Sequence, residues 1–136
     1  MKSVSTLVVA LGVLGLVNYA TASDPTGAWK SSITLGDKTF ESTLLFYLDS
    51  EGPILTGFEK DGPEGPQRPL TKATYNGTKI RFLVNHESGG EPVVINYHGV
   101  VSGDTIVGKA TFEFSDRSQP ATWTAKRLNH GRASSH

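Results

Sequence analysis

The chain contains no cysteine, and neither sign of charge is in excess, with 13 Lys and Arg residues against 13 Asp and Glu residues. The lack of cysteine excludes a disulfide framework, a thiol nucleophile, cysteine-ligated metal centres and the lipid attachment of a bacterial lipoprotein. A nucleic-acid partner is not expected, because binding to phosphates requires a surplus of basic side chains. The 136 residues do include 15 glycines and 7 prolines, which is typical of one turn-rich domain.

Long apolar runs are also scarce. The run at residues 7–17 is shorter than the about 20 residues that a membrane-spanning helix needs. Lys2 precedes this run and Ala-Thr-Ala follows it at residues 20–22, which is the pattern of a secretory signal peptide. We therefore expect a cleavable signal peptide at 1–22, a β-barrel domain at 23–128 and a flexible C-terminal tail at 129–136. This organisation predicts a secreted or periplasmic protein with no membrane association after cleavage.

Beyond the signal peptide, apolar residues alternate with polar ones, and Gly, Pro, Asn and Asp separate short segments of this kind. The pattern predicts strands at 28–35, 40–48, 54–60, 70–75, 78–86, 92–101, 105–114 and 121–127. A meander with one apolar face must cover its two edges, and closing into a cylinder removes both. The predicted fold is an all-β, eight-stranded antiparallel up-and-down β-barrel.

Turn positions predict the pairing of neighbouring strands. A two-residue turn at 103–104 pairs Tyr97 with Ala110, and the hairpin before it pairs Phe82 with Tyr97. These pairings place the apolar residues of three strands on one face. A slip of one residue would turn every side chain of a strand to the other face, so the shared apolar face supports this register.

Two further hairpins extend the same apolar face. A turn at 37–38 pairs Trp29 with Phe46, and the last hairpin pairs Phe112 with Trp123. The side chains predicted to point inward are Trp29, Ile33, Leu35, Phe40, Leu44, Phe46, Leu48, Phe82, Val84, Ile95, Tyr97, Val101, Ile106, Phe112, Phe114 and Trp123.

Two short motifs indicate a family resemblance. Gly-Ala-Trp at 27–29 and Arg127 on the last strand resemble the lipocalin and calycin superfamily, in which a tryptophan of the first strand packs under an arginine of the last. The segments 103–108 (GDTIVG) and 123–127 (WTAKR) are similar to those of small secreted bacterial β-barrel proteins whose family is uncharacterised. The resemblance implies a lipocalin-like barrel closed by Trp29 and Arg127. The chain is shorter than lipocalins and lacks a pattern for their external helix, which argues against a roomy cavity.

The aromatic residues of the inward face suggest two functions. The first is non-enzymatic binding of a small apolar or amphipathic ligand inside the barrel, for which the predicted walls are Trp29, Phe46, Phe82, Tyr97, Phe112 and Trp123. The alternative is a filled barrel that acts as a protein-interaction module or as an inhibitor of an exported enzyme. Neither function uses a catalytic residue, a metal ion or a cofactor, and the sequence does not identify a protein partner.

Tyr97 carries a hydroxyl on an otherwise apolar face, so it needs a hydrogen-bond partner. Ser31, Ser42, a buried water or a ligand could fill this role. An enzyme, such as an isomerase or hydratase, would require a buried charge beside Tyr97. Glu59 is the nearest candidate if the register of segment 54–60, which the sequence leaves undecided, turns it inward.

Residues 59–69 (EKDGPEGPQRP) form the one long predicted connection, because their prolines and glycines do not continue a strand. The connection could be a lid over the barrel mouth or a solvated loop in which Asp61 and Arg68 pair, and its carboxylates are expected to be solvated. His98 is predicted to face Arg81 on the outer surface, and a cation opposite a histidine disfavours a metal site there.

Overall fold

The computed structural model describes residues 24–49 and 54–128. The signal peptide predicted at 1–22 and the tail predicted at 129–136 lie outside the described residues. The strands are β1 (Gly27–Leu35), β2 (Lys38–Leu48), β3 (Leu55–Lys60), β4 (Gln67–Pro69), β5 (Thr71–Tyr75), β6 (Lys79–Ser88), β7 (Glu91–Ser102), β8 (Thr105–Glu113) and β9 (Ser118–Arg127). They form one sheet in the order β4-β3-β2-β1-β9-β8-β7-β6-β5, with antiparallel pairing throughout.

The sheet curls into a nearly closed up-and-down barrel, as the alternating pattern predicted. Its two ends meet where Leu70 N donates a hydrogen bond to Gly57 O at 3.0 Å and where Ile54 and Thr74 form an isolated bridge. Gly57 has φ +150°, and a Cβ atom there would overlap the Leu45 carbonyl oxygen. A glycine therefore allows the close approach of β3 to the backbone of β2 next to the seam.

The number of strands differs from the prediction, because β4 lies inside the segment that was predicted to be a loop. Phe58 of β3 pairs with Pro69 and Lys60 pairs with Gln67, so the connection shortens to residues 61–66. Pro69 is tolerated because β4 is at the edge of the sheet, where a missing N–H costs no ladder hydrogen bond. The prediction of eight strands and of a loop over 59–69 was therefore wrong.

Pairing in the middle of the sheet is confirmed. Tyr97 lies opposite Phe82 on one side and Ala110 on the other, and Arg81 lies opposite His98. His98 is exposed on the outer face, as predicted.

The first hairpin is offset from the predicted register. Trp29 pairs with Leu44 rather than with Phe46, because the turn is at Gly36-Asp37. Gly36 has φ +65°, which is the left-handed conformation that a tight hairpin requires and that glycine adopts without strain. An offset of an even number of residues keeps each side chain on its predicted face.

The last hairpin is offset in the same way. Phe112 pairs with Gln119 instead of Trp123, because Phe114 N donates to Arg117 O at 2.8 Å and closes a tight turn. The β9 strand consequently begins three residues earlier than predicted. This offset also leaves the inward face unchanged, so the register was wrong and the facing was correct.

The core consists mainly of the residues predicted to point inward. Trp29, Ile33, Leu44, Phe46, Phe82, Val84, Ile95, Tyr97, Val101, Ile106 and Trp123 are buried. Leu55 and Tyr75 join them from β3 and β5. Phe40 does not, since it is 47% exposed beside the β1–β2 turn at the end of the barrel. Its ring contacts that of Phe112, with the centroids 6.2 Å apart.

Candidate functional site

An open cavity of about 720 Å³ occupies the end of the barrel that holds the β1–β2, β3–β4, β6–β7 and β8–β9 turns. Its apolar wall includes Ile33, Leu35, Phe40, Val93, Ile95 and Phe112. Its polar part includes Ser42, Glu59, Asp61 and His86. A volume of this size is typical of sites for small organic ligands.

Below the cavity the barrel is filled by aromatic rings. Trp29, Phe46, Phe82, Tyr97 and Trp123 are all 0% exposed. Phe82 stacks on Tyr97 at a centroid distance of 4.5 Å, and Trp123 meets Tyr97 edge-on at 5.0 Å. Of the six predicted ligand-wall residues, these five form the packed interior, whereas Phe112 lines the cavity.

The first and last strands meet at Trp29 and Arg127, which are directly paired in the sheet. The Arg127 guanidinium carbon lies 4.4 Å from the centroid of the Trp29 ring. Arg127 Nε also donates to Asp104 Oδ1 at 2.8 Å, and Trp29 Nε1 donates to the Pro25 carbonyl at 2.9 Å. These contacts join the first strand to the last at the end of the barrel opposite the cavity.

Glu59 is buried at the boundary between the aromatic interior and the cavity, with its side chain 3% exposed. It lies opposite Leu44 in the β2–β3 ladder, so both side chains point to the inner face. The expectation that the carboxylates of segment 59–69 are solvated was therefore wrong for Glu59. A buried carboxylate requires hydrogen-bond donors to compensate for lost hydration.

Three side chains donate hydrogen bonds to the Glu59 carboxylate. The Tyr97 hydroxyl and the Ser42 hydroxyl donate to Oε2 at 2.9 and 3.1 Å, and His86 Nε2 is 2.7 Å from Oε1. Tyr97 thus has the partner that its position demanded, and Ser42 shares that partner rather than bonding to Tyr97. Ser31, the other serine considered for Tyr97, accepts a hydrogen bond from Trp123 Nε1 at 2.9 Å.

The protonation state of this network follows from its contacts. Burial alone raises the pKa of Glu59, but the hydrogen bond and charge of His86, together with the hydrogen bonds of Tyr97 and Ser42, bring the pKa below its ordinary value. Burial raises the pKa of Tyr97 well above its ordinary value, and the Glu59 charge adds to this shift. At neutral pH the site therefore contains a carboxylate and a neutral phenol.

The same carboxylate bridges the seam of the barrel. His86 belongs to β6, whereas Glu59 is on β3 and Arg68 is on β4. Arg68 Nη1 lies 3.7 Å from Glu59 Oε1 and 3.0 Å from Asp61 Oδ2. The predicted pairing of Asp61 with Arg68 is present, and it brings a guanidinium behind the buried carboxylate.

An ionised Glu59 can only accept hydrogen bonds, so the Nε2 atom of His86 must carry the proton. In the neutral imidazole the Nδ1 atom is then a lone-pair acceptor. It has no hydrogen-bond partner within 24–49 and 54–128, and the His86 ring lines the cavity. The arrangement can accept a proton or a hydrogen bond from a molecule in the cavity.

The alternation of β6 could have identified His86 from the sequence. Ile80, Phe82 and Val84 point inward, and His86 continues the same phase. Ser42 continues the inward phase of Leu44 in the same way. A polar residue in phase with a buried apolar series is the signal that identifies a site of this kind.

No protein-family model, curated protein or solved structure matches the chain. The part of the chain that the structure describes contains no helix with the length and hydropathy needed to cross a membrane. In that same part, no three His, Asp or Glu side chains are arranged to hold a metal ion.

Proposed function

We propose that this protein binds a small amphipathic ligand at the open end of the barrel, without catalysing a reaction. The observation that carries the proposal is one cavity of about 720 Å³ that combines an apolar wall with the buried Glu59–His86 pair. An apolar wall supplies binding energy, and a few polar groups fix the orientation of the ligand. The aromatic interior supports the cavity rather than forming part of it.

The proposed class is a lipocalin-like barrel of calycin type that is secreted or periplasmic. Two features support this class: the Trp29–Arg127 stacking contact at the junction of the first and last strands, and the signal-like sequence at residues 1–22. Ligand binding agrees with such a class, because a barrel of about eight strands is wide enough to hold one small ligand.

Binding is tested by titrating the full chain with octanol, retinol, fatty acids and haem. We expect tryptophan fluorescence to change and the Tm to rise with at least one of them, because a ligand that binds only the folded state stabilises it. Phe112→Ala, which removes part of the cavity wall, should weaken binding about tenfold, since it removes contact area worth on the order of 1–2 kcal/mol.

The matched control is Tyr47→Ala, since Tyr47 is 50% exposed and is not among the residues that line the cavity. It should leave binding unchanged. If no compound altered either the fluorescence or the Tm, the binding function would be wrong, and the filled barrel acting on a protein partner would be favoured instead.

One observation supports a second candidate function, which is proton transfer by an isomerase- or hydratase-type enzyme. Glu59 is the buried charge beside Tyr97 that such an enzyme would require, and it orients an imidazole that lines the cavity. The probe is 5-nitrobenzisoxazole, whose C–H proton is taken by a base while its N–O bond breaks to give a nitrophenolate. Turnover that His86→Gln abolishes and His98→Gln retains would support the enzyme, whereas equal background rates in all three proteins would exclude it.

A further inference from the structure

We propose that the ligand of this cavity is a cationic amphiphile, namely a protonated amine carried on an apolar body. This inference rests on the proposed binding function and assigns the chemical class of the ligand. The ammonium group donates to His86 Nδ1, next to the Glu59 carboxylate, and the apolar body lies against the wall formed by Ile33, Phe40 and Phe112.

The floor of the cavity, formed by Glu59 and His86, favours a ligand that donates a hydrogen bond. Both oxygens of Glu59 accept hydrogen bonds, and when the imidazole of His86 is neutral this carboxylate holds it in the tautomer whose Nδ1 offers a lone pair. The attraction of a cation to the Glu59 charge acts in a partly desolvated site, where it is stronger than in water. A ligand carboxylate has no proton to donate, and it would face two other acceptors, namely the Glu59 carboxylate and His86 Nδ1.

The charge of the cavity lining also favours a cation. Four carboxylates line it, from Glu41, Glu59, Asp61 and Glu87, against the single guanidinium of Arg117 and the imidazole of His86. The lining is negative whether or not the imidazole is protonated. A carboxylate ligand would therefore be repelled in both states.

Groups just outside the lining do not reverse this balance. Two cations contact lining carboxylates, since Lys30 Nζ is 3.5 Å from Glu41 and Arg68 Nη1 is 3.0 Å from Asp61. Two further carboxylates contact the lining guanidinium, with Asp116 at 2.9 Å and Glu91 at 4.0 Å from Arg117 Nη1. The added charges cancel, so the cavity keeps its net negative charge.

Arg117, the one guanidinium among the residues that line the cavity, lies at the exposed rim and not beside Glu59. Arg117 is 50% exposed and stacks on the Phe114 ring, with the guanidinium carbon 4.0 Å from the centroid. Its charge is compensated there and screened by solvent, whereas Glu59 is buried. Glu59 keeps Arg68 Nη1 at 3.7 Å, but its buried charge is screened less than the charge of Arg117, so the attraction for a cationic head group is strongest beside Glu59.

Three probes with the same apolar chain test the inference: octylamine, octanol and octanoate, each titrated into the full chain in neutral buffer. We expect octylamine to bind at least about tenfold more tightly than octanoate, with octanol between them, because their head groups differ in charge and hydrogen bonding alone. His86→Gln removes the Nδ1 acceptor but leaves the lining carboxylates in place, so it should reduce this discrimination about threefold without abolishing it. The matched control His98→Gln changes an outer-face histidine and should retain it.

A second measurement uses the wild-type protein, so it does not require a variant to fold. In nitrogen-15 NMR of the wild-type imidazoles, octylamine should shift the Nδ1 resonance of His86 and leave that of His98 unchanged. If octanoate bound as tightly as octylamine or more tightly, the cationic ligand class would be wrong while the binding cavity stood. If none of the three probes bound, the proposed binding function itself would fail.

Discussion

Replacing Trp29 with alanine is expected to lower the free energy of unfolding by about 3–5 kcal/mol, because it leaves a large cavity in a packed interior. Trp29 is 0% exposed, and its ring contacts that of Phe46 at a centroid distance of 6.3 Å and the guanidinium of Arg127 at 4.4 Å. The substitution removes the hydrogen bond to Pro25 O as well. Urea unfolding of the variant, followed by the fluorescence of Trp123, gives the loss directly.

Two other variants place this result in context. Tyr47→Ala shortens an aromatic side chain that is 50% exposed on the outer surface, so we expect a loss below about 1 kcal/mol. Arg127→Ala should fall between the two, because it removes the stacking contact and the hydrogen bonds to Asp104 and Thr26 but leaves the indole in place. Equal losses for Trp29→Ala and Tyr47→Ala would contradict the packed interior.

The residues that point into the barrel could be predicted from the sequence, and the pairing partners could be predicted only in part. The period-two pattern fixes which face a side chain occupies, so Trp29 and Trp123 were assigned correctly even though their hairpins are offset. Register depends on the position of the tight turn, and Gly36-Asp37 competes with Asp37-Lys38 for that role. Alternation cannot distinguish the two turns, because both leave the same side chains inside.

The candidate site was harder to predict than the fold, because it depends on contacts across the seam. Glu59 and His86 are 27 residues apart in the chain, and they meet because the sheet curls until β3 and β6 approach. The sequence identified Glu59 as an inward candidate beside Tyr97, but it gave no register for β3 that could decide the matter. The role of Ser42 as a second donor to Glu59 likewise depends on that register.

Glu59→Ala is expected to cost about 3–5 kcal/mol of unfolding free energy, because it leaves buried donors without an acceptor. Tyr97, Ser42 and His86 all lose their shared partner, and the Arg68 guanidinium loses one of its two carboxylates. The loss is measured by urea unfolding at neutral pH. The control is Glu41→Ala, whose carboxylate is 55% exposed and pairs with Lys30 on the surface, so its loss should stay below about 1 kcal/mol.

The same carboxylate gives the protein an acid-sensitive contribution to stability, which Glu59→Gln should remove. The pKa of Glu59 in the folded protein is below its ordinary value, so the unfolded chain takes up the proton first as the pH falls. The contribution is therefore complete at neutral pH, declines below about pH 5 and disappears as the pH passes below the folded pKa. Between about pH 7 and about pH 3, the free energy of unfolding should fall less for Glu59→Gln than for the wild type.

Glu64→Gln, which neutralises an exposed carboxylate outside the network, is the control. If it flattened the pH dependence as much as Glu59→Gln, the acid sensitivity could not be assigned to the buried carboxylate.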